Sequence, residues 1–248
     1  MVPQIGKALI AEAIGTFALS FIGVLAITAA GVVGAPSGLA NLASIGLAHG
    51  LTIGVMIAAL GAISGGHFNP AVTFGFVVTG RMKPLTGLYY WIAQLVGATV
   101  AGLVLLGVVG SKAVADGTPN LASNVSFGTG VLVEAVLTFF LVLVIFGTAV
   151  DGRAPKSIFP LAIGLTIALD IMGGGPLTGA SMNPSRTFGP ALASGMWSNH
   201  LVYWIGPLIG GALAALLSHY VLIEAAPSPE TAEHGALAPA EERRSAAA

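Results

Sequence analysis

Cysteine is absent from this chain of 248 residues, and charged residues are scarce. The lack of cysteine excludes disulfides and thiolate chemistry, so the redox compartment cannot be inferred from the sequence. Only 8% of the residues are charged and the formal net charge is −1, whereas a typical soluble domain carries about 25% charged residues. A chain with so little positive charge has no basic surface for a nucleic acid, and that class of partner is excluded.

Apolar sequence is what the chain has in abundance, with 55% hydrophobic residues and a mean hydropathy of +0.92. Six runs are long enough to cross a hydrocarbon core of about 30 Å, and they cover residues 8–33, 39–63, 85–110, 125–150, 157–173 and 199–223. The first run is too long for the apolar part of a cleavable signal peptide. Lys156 and Gly173-Gly174-Gly175-Pro176 predict the ends of the fifth run. The composition predicts a multi-pass membrane protein.

Two similar stretches lie between these runs, SGGHFNPAVTFG at residues 64–75 and TGASMNPSRTFG at residues 178–189. Asn is a strong helix N-cap, and Pro is well suited to the first helical position because it lacks an N–H there. Asn69 and Asn183 therefore predict helix starts, and each helix extends for about eleven residues, to Thr79 and Ala193. Such a helix is roughly 16 Å long, about half of the hydrocarbon core.

The chain contains an internal repeat, because AEAIGTF at residues 11–17 resembles VEAVLTF at residues 133–139. Each half has three runs with an Asn-Pro half-helix after the second, and an odd number of spans inverts one half relative to the other. We predict an all-α membrane protein with six transmembrane helices and two re-entrant half-helices. The channel domain covers residues 1–224, with inverted repeats at about 7–110 and 125–223, and residues 225–248 have the composition of a disordered tail.

Positive charge is distributed asymmetrically between the two sides of this six-span arrangement. Lys112 falls alone on one side, and the other side holds Lys7, Arg81, Lys83, Arg153, Lys156, Arg243 and Arg244. Since cytoplasmic loops carry an excess of Lys and Arg, both termini are expected in the cytoplasm.

A repeated Asn-Pro start is open to two interpretations, plain capping or a shared central site. Two copies at equivalent places in an inverted repeat favour the central site, where the half-helices meet head to head. Each helix N-terminus carries about half a positive charge, so the paired ends would repel cations and protons. The amides of Asn69 and Asn183 would donate to a passing polar solute.

Glu12, Glu134 and Arg186 are charged residues that lie within apolar membrane segments. A charge at that depth is costly, so each is either a functional group or a fully hydrogen-bonded structural one. For the two carboxylates we favour the structural role, in which backbone N–H groups of a buried irregular loop donate to them. Arg186 is expected to face a water-filled constriction, where it donates hydrogen bonds and repels cations.

These motifs resemble the aquaporin (major intrinsic protein) family over about residues 7–223. The resemblance implies a homotetramer in the lipid bilayer with one pore per subunit, which passes water or small neutral solutes without a reaction or a cofactor. It implies a central motif formed by Asn69, Pro70, Ala71, Asn183, Pro184 and Ser185. It also implies that Glu12 and Glu134 support the two loops that carry this motif.

The resemblance further implies a selectivity filter at His49, Ile171, Ala180 and Arg186, reached by counting from the two Asn residues. This set looks like that of plant tonoplast intrinsic proteins, which pass water and often ammonia, urea or hydrogen peroxide. His49 could instead be a hydrogen-bonded core residue. His67 is expected to line the cytoplasmic vestibule, and Asp170, beside the filter, has no predicted partner.

Several positions bear on the solute. Glycerol channels of the family carry Asp after the filter Arg, a basic residue five positions past it, and Pro in the last span; here Thr187, Ala191 and Tyr203 stand instead, which favours water. The loop at residues 111–126 lacks the His of the tonoplast proteins that best conduct ammonia. Ser185 replaces the Ala of the usual second motif and could make an extra hydrogen bond.

We therefore expect a water channel, with a broader channel for ammonia, urea or hydrogen peroxide as the alternative. A non-conducting junctional scaffold is a third hypothesis, and long interaction segments to support it are missing from the sequence. No nucleophile, base and orienting group occur in a catalytic pattern, so an enzyme is not expected. No metal site is expected either, since His67 has no second ligand at the usual spacing. The composition of the N-terminus and the tail favours a prokaryotic plasma membrane.

Overall fold

A computed structural model describes residues 4–32 and 38–223. The tail predicted for residues 225–248 lies outside the described residues. All regular elements in the described part are helical, and six of them are long and apolar enough to span a membrane, as predicted. The helices are α1 Gln4–Val32, α2 Leu39–Ser64, α3 Pro70–Val78, α4 Pro84–Asp116, α5 Phe127–Ile145, α6 Phe159–Thr178, α7 Pro184–Ser194 and α8 Val202–Leu217. Short π-helical turns, Phe146–Val150 and Ser218–Leu222, continue α5 and α8.

The two half-helices are α3 and α7, and both begin as the sequence predicts. Asn69 and Asn183 are the N-caps, each with extended backbone and a side-chain oxygen that accepts from a backbone N–H two residues on. Thr79 ends α3. Gly195, with φ of 77°, ends α7 in the left-handed conformation that glycine adopts at low cost.

The inverted repeat is visible in how the spans pack. Helix α4 packs on α1 and α8 packs on α5 in the same way, and a small residue permits both contacts. A Cβ added at Gly97 in α4 would collide with the carbonyl oxygen of Ala13, and one at Gly210 in α8 would collide with that of Ala135. Two equivalent helix pairs thus approach closely, and α2 packs on α6 across the repeat.

One predicted helix end was wrong, and one helix extends beyond its apolar run. The fifth span does not stop at Gly173-Gly174-Gly175-Pro176 but continues to Thr178, where Gly179 caps it with φ of 80°. Gly174 fits there because a side chain would collide with Leu137, and Pro176 lies in the final turn. The third span breaks at Gly110, with φ of 82°, but helix resumes and extends to Asp116.

The outer surface is apolar, whereas the polar side chains of the membrane segments point inward. Large apolar side chains on several helices face outward, and Val55, Leu132 and Leu169 are examples that are largely exposed. The buried polar residues include Glu12, Glu134, Gln94, Arg186 and both Asn caps. This arrangement fits a bundle with lipid outside and a polar centre.

Candidate functional site

The N-termini of the two half-helices meet at the centre of the bundle. Asn69 donates from Nδ2 to the carbonyl oxygen of Met182 at 2.8 Å, and Asn183 donates from Nδ2 to that of Phe68 at 2.9 Å. Each amide group has two hydrogens, so each Asn keeps one hydrogen after it has bound the opposite loop. The two caps thus join the halves and retain a donor each.

Glu12 holds the loop that precedes α3, as predicted. Its carboxylate accepts from the backbone N–H groups of His67 at 3.0 Å and Phe68 at 2.6 Å. It also accepts from Ser64 Oγ at 2.7 Å and from Gln94 Nε2 at 2.8 Å. Four donors around one buried carboxylate compensate for its removal from water.

Glu134 holds the loop before α7 in the same way. It accepts from the backbone N–H groups of Ser181 at 2.9 Å and Met182 at 2.7 Å, and from Thr178 Oγ1 at 2.7 Å. The hydrogen bonds predicted for both carboxylates are therefore confirmed.

Phe68 and Met182 connect these carboxylates to the opposite Asn. Each gives its N–H to the Glu of its own half and its carbonyl to the Asn of the other half. Both have positive φ, 48° and 54°, a conformation uncommon for residues other than glycine. Their surroundings impose this backbone, as is usual where strain occurs at a functional site.

The four predicted filter residues line one buried cavity near the second half-helix. Arg186 donates from Nη2 to Nε2 of His49 at 2.9 Å, and Nδ1 of His49 lies 2.8 Å from the carbonyl oxygen of Ile45. Since a carbonyl only accepts, the ring hydrogen of His49 is on Nδ1 and Nε2 accepts from the guanidinium. Nη1 of Arg186 has no hydrogen-bond partner among the described residues.

The same cavity continues past the Asn pair to the far side of the bundle. Its lining is mostly apolar, with a few polar groups at intervals. The lining residues are Leu19, His49, Ile53, Ile57, Gly65, Gly66, His67, Phe68, Asn69, Val72, Phe76, Leu141, Ile145, Ala149, Phe159, Ile163, Ile167, Ile171, Ala180, Ser181, Met182, Asn183 and Arg186. A narrow apolar path with sparse donors can conduct a polar solute without holding it tightly.

Ser185 makes the extra hydrogen bond considered from the sequence. Its hydroxyl donates to Oδ1 of Asn183 at 2.7 Å, in addition to the N–H groups of Ser185 at 3.0 Å and Arg186 at 3.3 Å. In the first half, the side-chain oxygen of Asn69 accepts one hydrogen bond among the described contacts, from the N–H of Ala71 at 2.8 Å. Asn183 is consequently held by more hydrogen bonds than Asn69.

Two polar residues near the filter do not join it. Asp170 is buried in α6, and its Oδ2 has no hydrogen-bond partner among the described residues. Asn120, in the loop where some tonoplast proteins carry His, accepts at Oδ1 from Asn199 Nδ2 at 3.1 Å.

Two tyrosine hydroxyls bind the ends of α2 and α6, just before the two loops, and the sequence did not predict these contacts. The hydroxyl of Tyr90 donates to the carbonyl of Ser64 at 2.8 Å, and that of Tyr203 donates to the carbonyl of Thr178 at 2.7 Å. Ser64 and Thr178 are separated by the same 114 positions as the two Asn residues. Alignment of the two halves at this offset would have found them as a pair of polar residues preceding the loops.

Comparisons with known proteins agree with this geometry. The sequence model of the family described as Major intrinsic protein matches residues 2–218, and the chain therefore belongs to that family. Probable aquaporin TIP3-2 of Arabidopsis thaliana is 44% identical over 251 residues, which cover 96% of this chain and 92% of the relative. Aquaporin TIP4-4 of Zea mays is 46% identical over 217 residues, covering 85% and 84%.

A solved structure is also similar, the aquaglyceroporin from Plasmodium falciparum. It has a TM-score of 0.78 and 26% sequence identity, and the match covers 88% of this chain and 97% of that one. The aquaporin-like fold predicted from the sequence is confirmed. The protein is a multi-pass membrane protein and a passive channel for water or small neutral solutes.

The expected prokaryotic plasma membrane finds no support in these comparisons. Both of these relatives by sequence are plant proteins. The expectation came from the composition of the chain ends, and amino-acid composition of a short terminal segment carries little information about the host membrane.

Proposed function

We propose that the channel conducts water in single file past Asn69 and Asn183 and excludes protons and other cations. The observation that carries this proposal is the head-to-head arrangement of the two capped half-helices. Each Asn keeps one amide hydrogen for a solute oxygen. The two helix N-termini place about half a positive charge each at the same point, which opposes a cation there.

We assign the selectivity filter to His49, Ile171, Ala180 and Arg186. Arg186 supplies the donors, because Nη2 is bound to His49 and Nη1 has no hydrogen-bond partner among the described residues. Ile171 and Ala180 offer only apolar side chains on the other walls. A constriction with donors on one side and hydrocarbon on the other admits small neutral molecules that accept hydrogen bonds.

Ammonia, urea and hydrogen peroxide are the alternative solutes. The apolar Ile171 favours them, since it makes the filter less polar than one with a second imidazole. Against ammonia, the loop at residues 111–126 has no His, and Asn120 is bound to Asn199. Glycerol is not favoured, because Thr187 and Tyr203 occupy positions where glycerol channels of the family carry Asp and Pro. The hydroxyl groups of Thr187 and Tyr203 each have a hydrogen-bond partner within the protein.

Solute uptake by proteoliposomes tests the filter assignment. Urea, ammonia and hydrogen peroxide permeabilities are measured relative to water for the wild type and for Ile171→His, with Ile209→His on the exposed face of α8 as the matched control. We expect Ile171→His to lower the ratios of the solutes to water. Unchanged ratios in Ile171→His would remove the filter assignment.

We also propose that the chain forms a homotetramer with both termini on the cytoplasmic side. The positive-charge bias supports the orientation, and Arg81 and Arg153 both contact the end of the last span, at His219 and Leu222.

Native mass spectrometry in detergent tests the tetramer and should give four times the chain mass of 24.7 kDa. A species of one chain mass under gentle conditions would contradict the tetramer.

A further inference from the structure

His67 has one ring nitrogen held by the protein and the other open. Nδ1 lies 3.1 Å from Oγ1 of Thr73, in the first turn of α3. Nε2 has no hydrogen-bond partner among the described residues, and His67 is one of the residues that line the conducting cavity. Which nitrogen carries the hydrogen therefore decides what His67 offers to a solute.

Gln94 determines the direction of the hydrogen bond between Thr73 and His67. Its Nε2 donates to Glu12 Oε2 at 2.8 Å and to Thr73 Oγ1 at 3.0 Å. Turning this amide over would place its oxygen against the carboxylate, so the nitrogen must face Glu12 and Thr73. An amide nitrogen only donates, and Thr73 Oγ1 is thus an acceptor from Gln94.

The hydroxyl hydrogen of Thr73 then has to go elsewhere. Many helical Thr residues give it to the carbonyl four positions back, as Thr79 does to Gly75 at 2.9 Å. Thr73 makes no such bond among the described contacts, and its remaining neighbour within reach is Nδ1 of His67. A hydroxyl that donates to Nδ1 requires that nitrogen to be unprotonated.

We infer that His67 carries its ring hydrogen on Nε2 and donates it to the solute on the first-half side of the Asn pair. Thr73 and Gln94 are positioning residues that fix this tautomer. The inference rests on the proposed conducting path, and it names the group that a small neutral solute with an accepting oxygen or nitrogen meets there.

The second half of the channel has no equivalent of the Gln94–Thr73–His67 hydrogen bonds among the described residues. Ser181, the counterpart of His67, donates from its own hydroxyl to the carbonyl of Asn183 at 2.9 Å and lies 2.6 Å from Thr187 Oγ1. Pro207 stands at the position in α8 that corresponds to Gln94 in α4. The two mouths of the path therefore differ, with a His donor on one side and Arg186 on the other.

Nitrogen NMR of ¹⁵N-histidine-labelled protein in liposomes tests the tautomer directly. The chain has five His residues, and the variant His67→Gln identifies the signals of His67. We expect the wild type to show protonated Nε2 and unprotonated Nδ1 at His67. Thr73→Val, which has nearly the same shape, should introduce the other tautomer, whereas Thr187→Val in the second half should leave the His67 signals unchanged.

A wild-type His67 with its hydrogen on Nδ1 overturns the inference, and so does a Thr73→Val spectrum identical to that of the wild type. Water permeability of the same liposomes separates this from the proposed function. Thr73→Val should lower the permeability per channel by up to about fivefold, the factor that one neutral hydrogen bond is worth. Wild-type liposomes that conduct no water would reject the proposed path while the tautomer result still stands.

Discussion

Arg186 and His49, 137 positions apart in the chain, are joined by a hydrogen bond of 2.9 Å from Nη2 to Nε2. The carbonyl group of Ile45 fixes the His49 ring, and the ring in turn holds the guanidinium in place. The imidazole uses its accepting nitrogen for Arg186 and has no donor left for a solute. We propose that His49 affects selectivity chiefly by where it holds Arg186.

Replacement of His49 by Leu should therefore loosen the constriction. The guanidinium loses its acceptor and can move, so the ratio of urea to water permeability is expected to rise by at least about threefold, within what a charge-assisted hydrogen bond can supply. Stopped-flow light scattering of proteoliposomes measures both permeabilities. His219→Leu, in the short π-helical turn that follows α8, is the matched control. An equal ratio in both variants would contradict the role of His49.

Substitution of Glu134 by Gln should destabilise the fold. The amide NH₂ would face at least one of the N–H groups of Ser181 and Met182, which need an acceptor. We expect a loss of about 2–4 kcal/mol in the free energy of unfolding, measured as thermal unfolding in detergent. Asp116→Asn removes an exposed ion pair with Lys112 and should change the stability by less than about 1 kcal/mol. Equal stability of the two variants would argue against the buried anchor.

Removal of the Ser185 hydroxyl tests the additional support of Asn183. Ser185→Ala deletes the 2.7 Å bond to Asn183 Oδ1 but keeps both backbone donors, so a loss of about 1 kcal/mol is expected. Ala71→Ser is the reciprocal variant in the first half. If Ser185→Ala unfolds at the wild-type temperature, the hydroxyl adds no stability.

Asp151, in the loop after α5, gives a pH-dependent contribution. Side-chain and backbone hydrogen bonds from Arg153 lower the pKa of Asp151 to about 2. A lowered pKa in the folded state means that the stabilisation is complete above the ordinary pKa near 3.8 and is lost as the pH falls through about 2. The difference in unfolding temperature between wild type and Asp151→Asn should be constant from pH 7 to about 5 and shrink below about pH 4. A difference that stays constant down to pH 2 would contradict this pairing.

Local signals in the sequence were sufficient for the spans and the half-helices. Hydropathy located six helices, and Asn-Pro located the starts of α3 and α7 because a cap is a property of adjacent residues. The end of α6 was wrong because Gly174 serves a contact with Leu137, a distant residue, and does not end the helix. Local patterns do not contain such long-range packing.

The candidate site likewise combines residues that local sequence patterns identify with residues that only the fold brings together. Its main residues followed from the motifs and the resemblance, whereas the partners of Glu12 and Glu134 on other helices did not. Gln94 is one polar residue in a long apolar span, and only the fold shows that it lies between Glu12 and Thr73. The position of the ring hydrogen on His49 likewise depends on its contacts with both Ile45 and Arg186. The contact with Arg186 is known only from the fold.

The most direct test of the conducting path is osmotic shrinkage of proteoliposomes by stopped flow, with proton permeability measured on the same preparation. We predict that wild-type vesicles shrink many times faster than empty vesicles and leak protons no faster. Asn183→Gln, whose longer side chain enters the path, should lose most of the water flux. Wild-type vesicles that shrink at the rate of empty ones, or that leak protons with the water, would contradict the account.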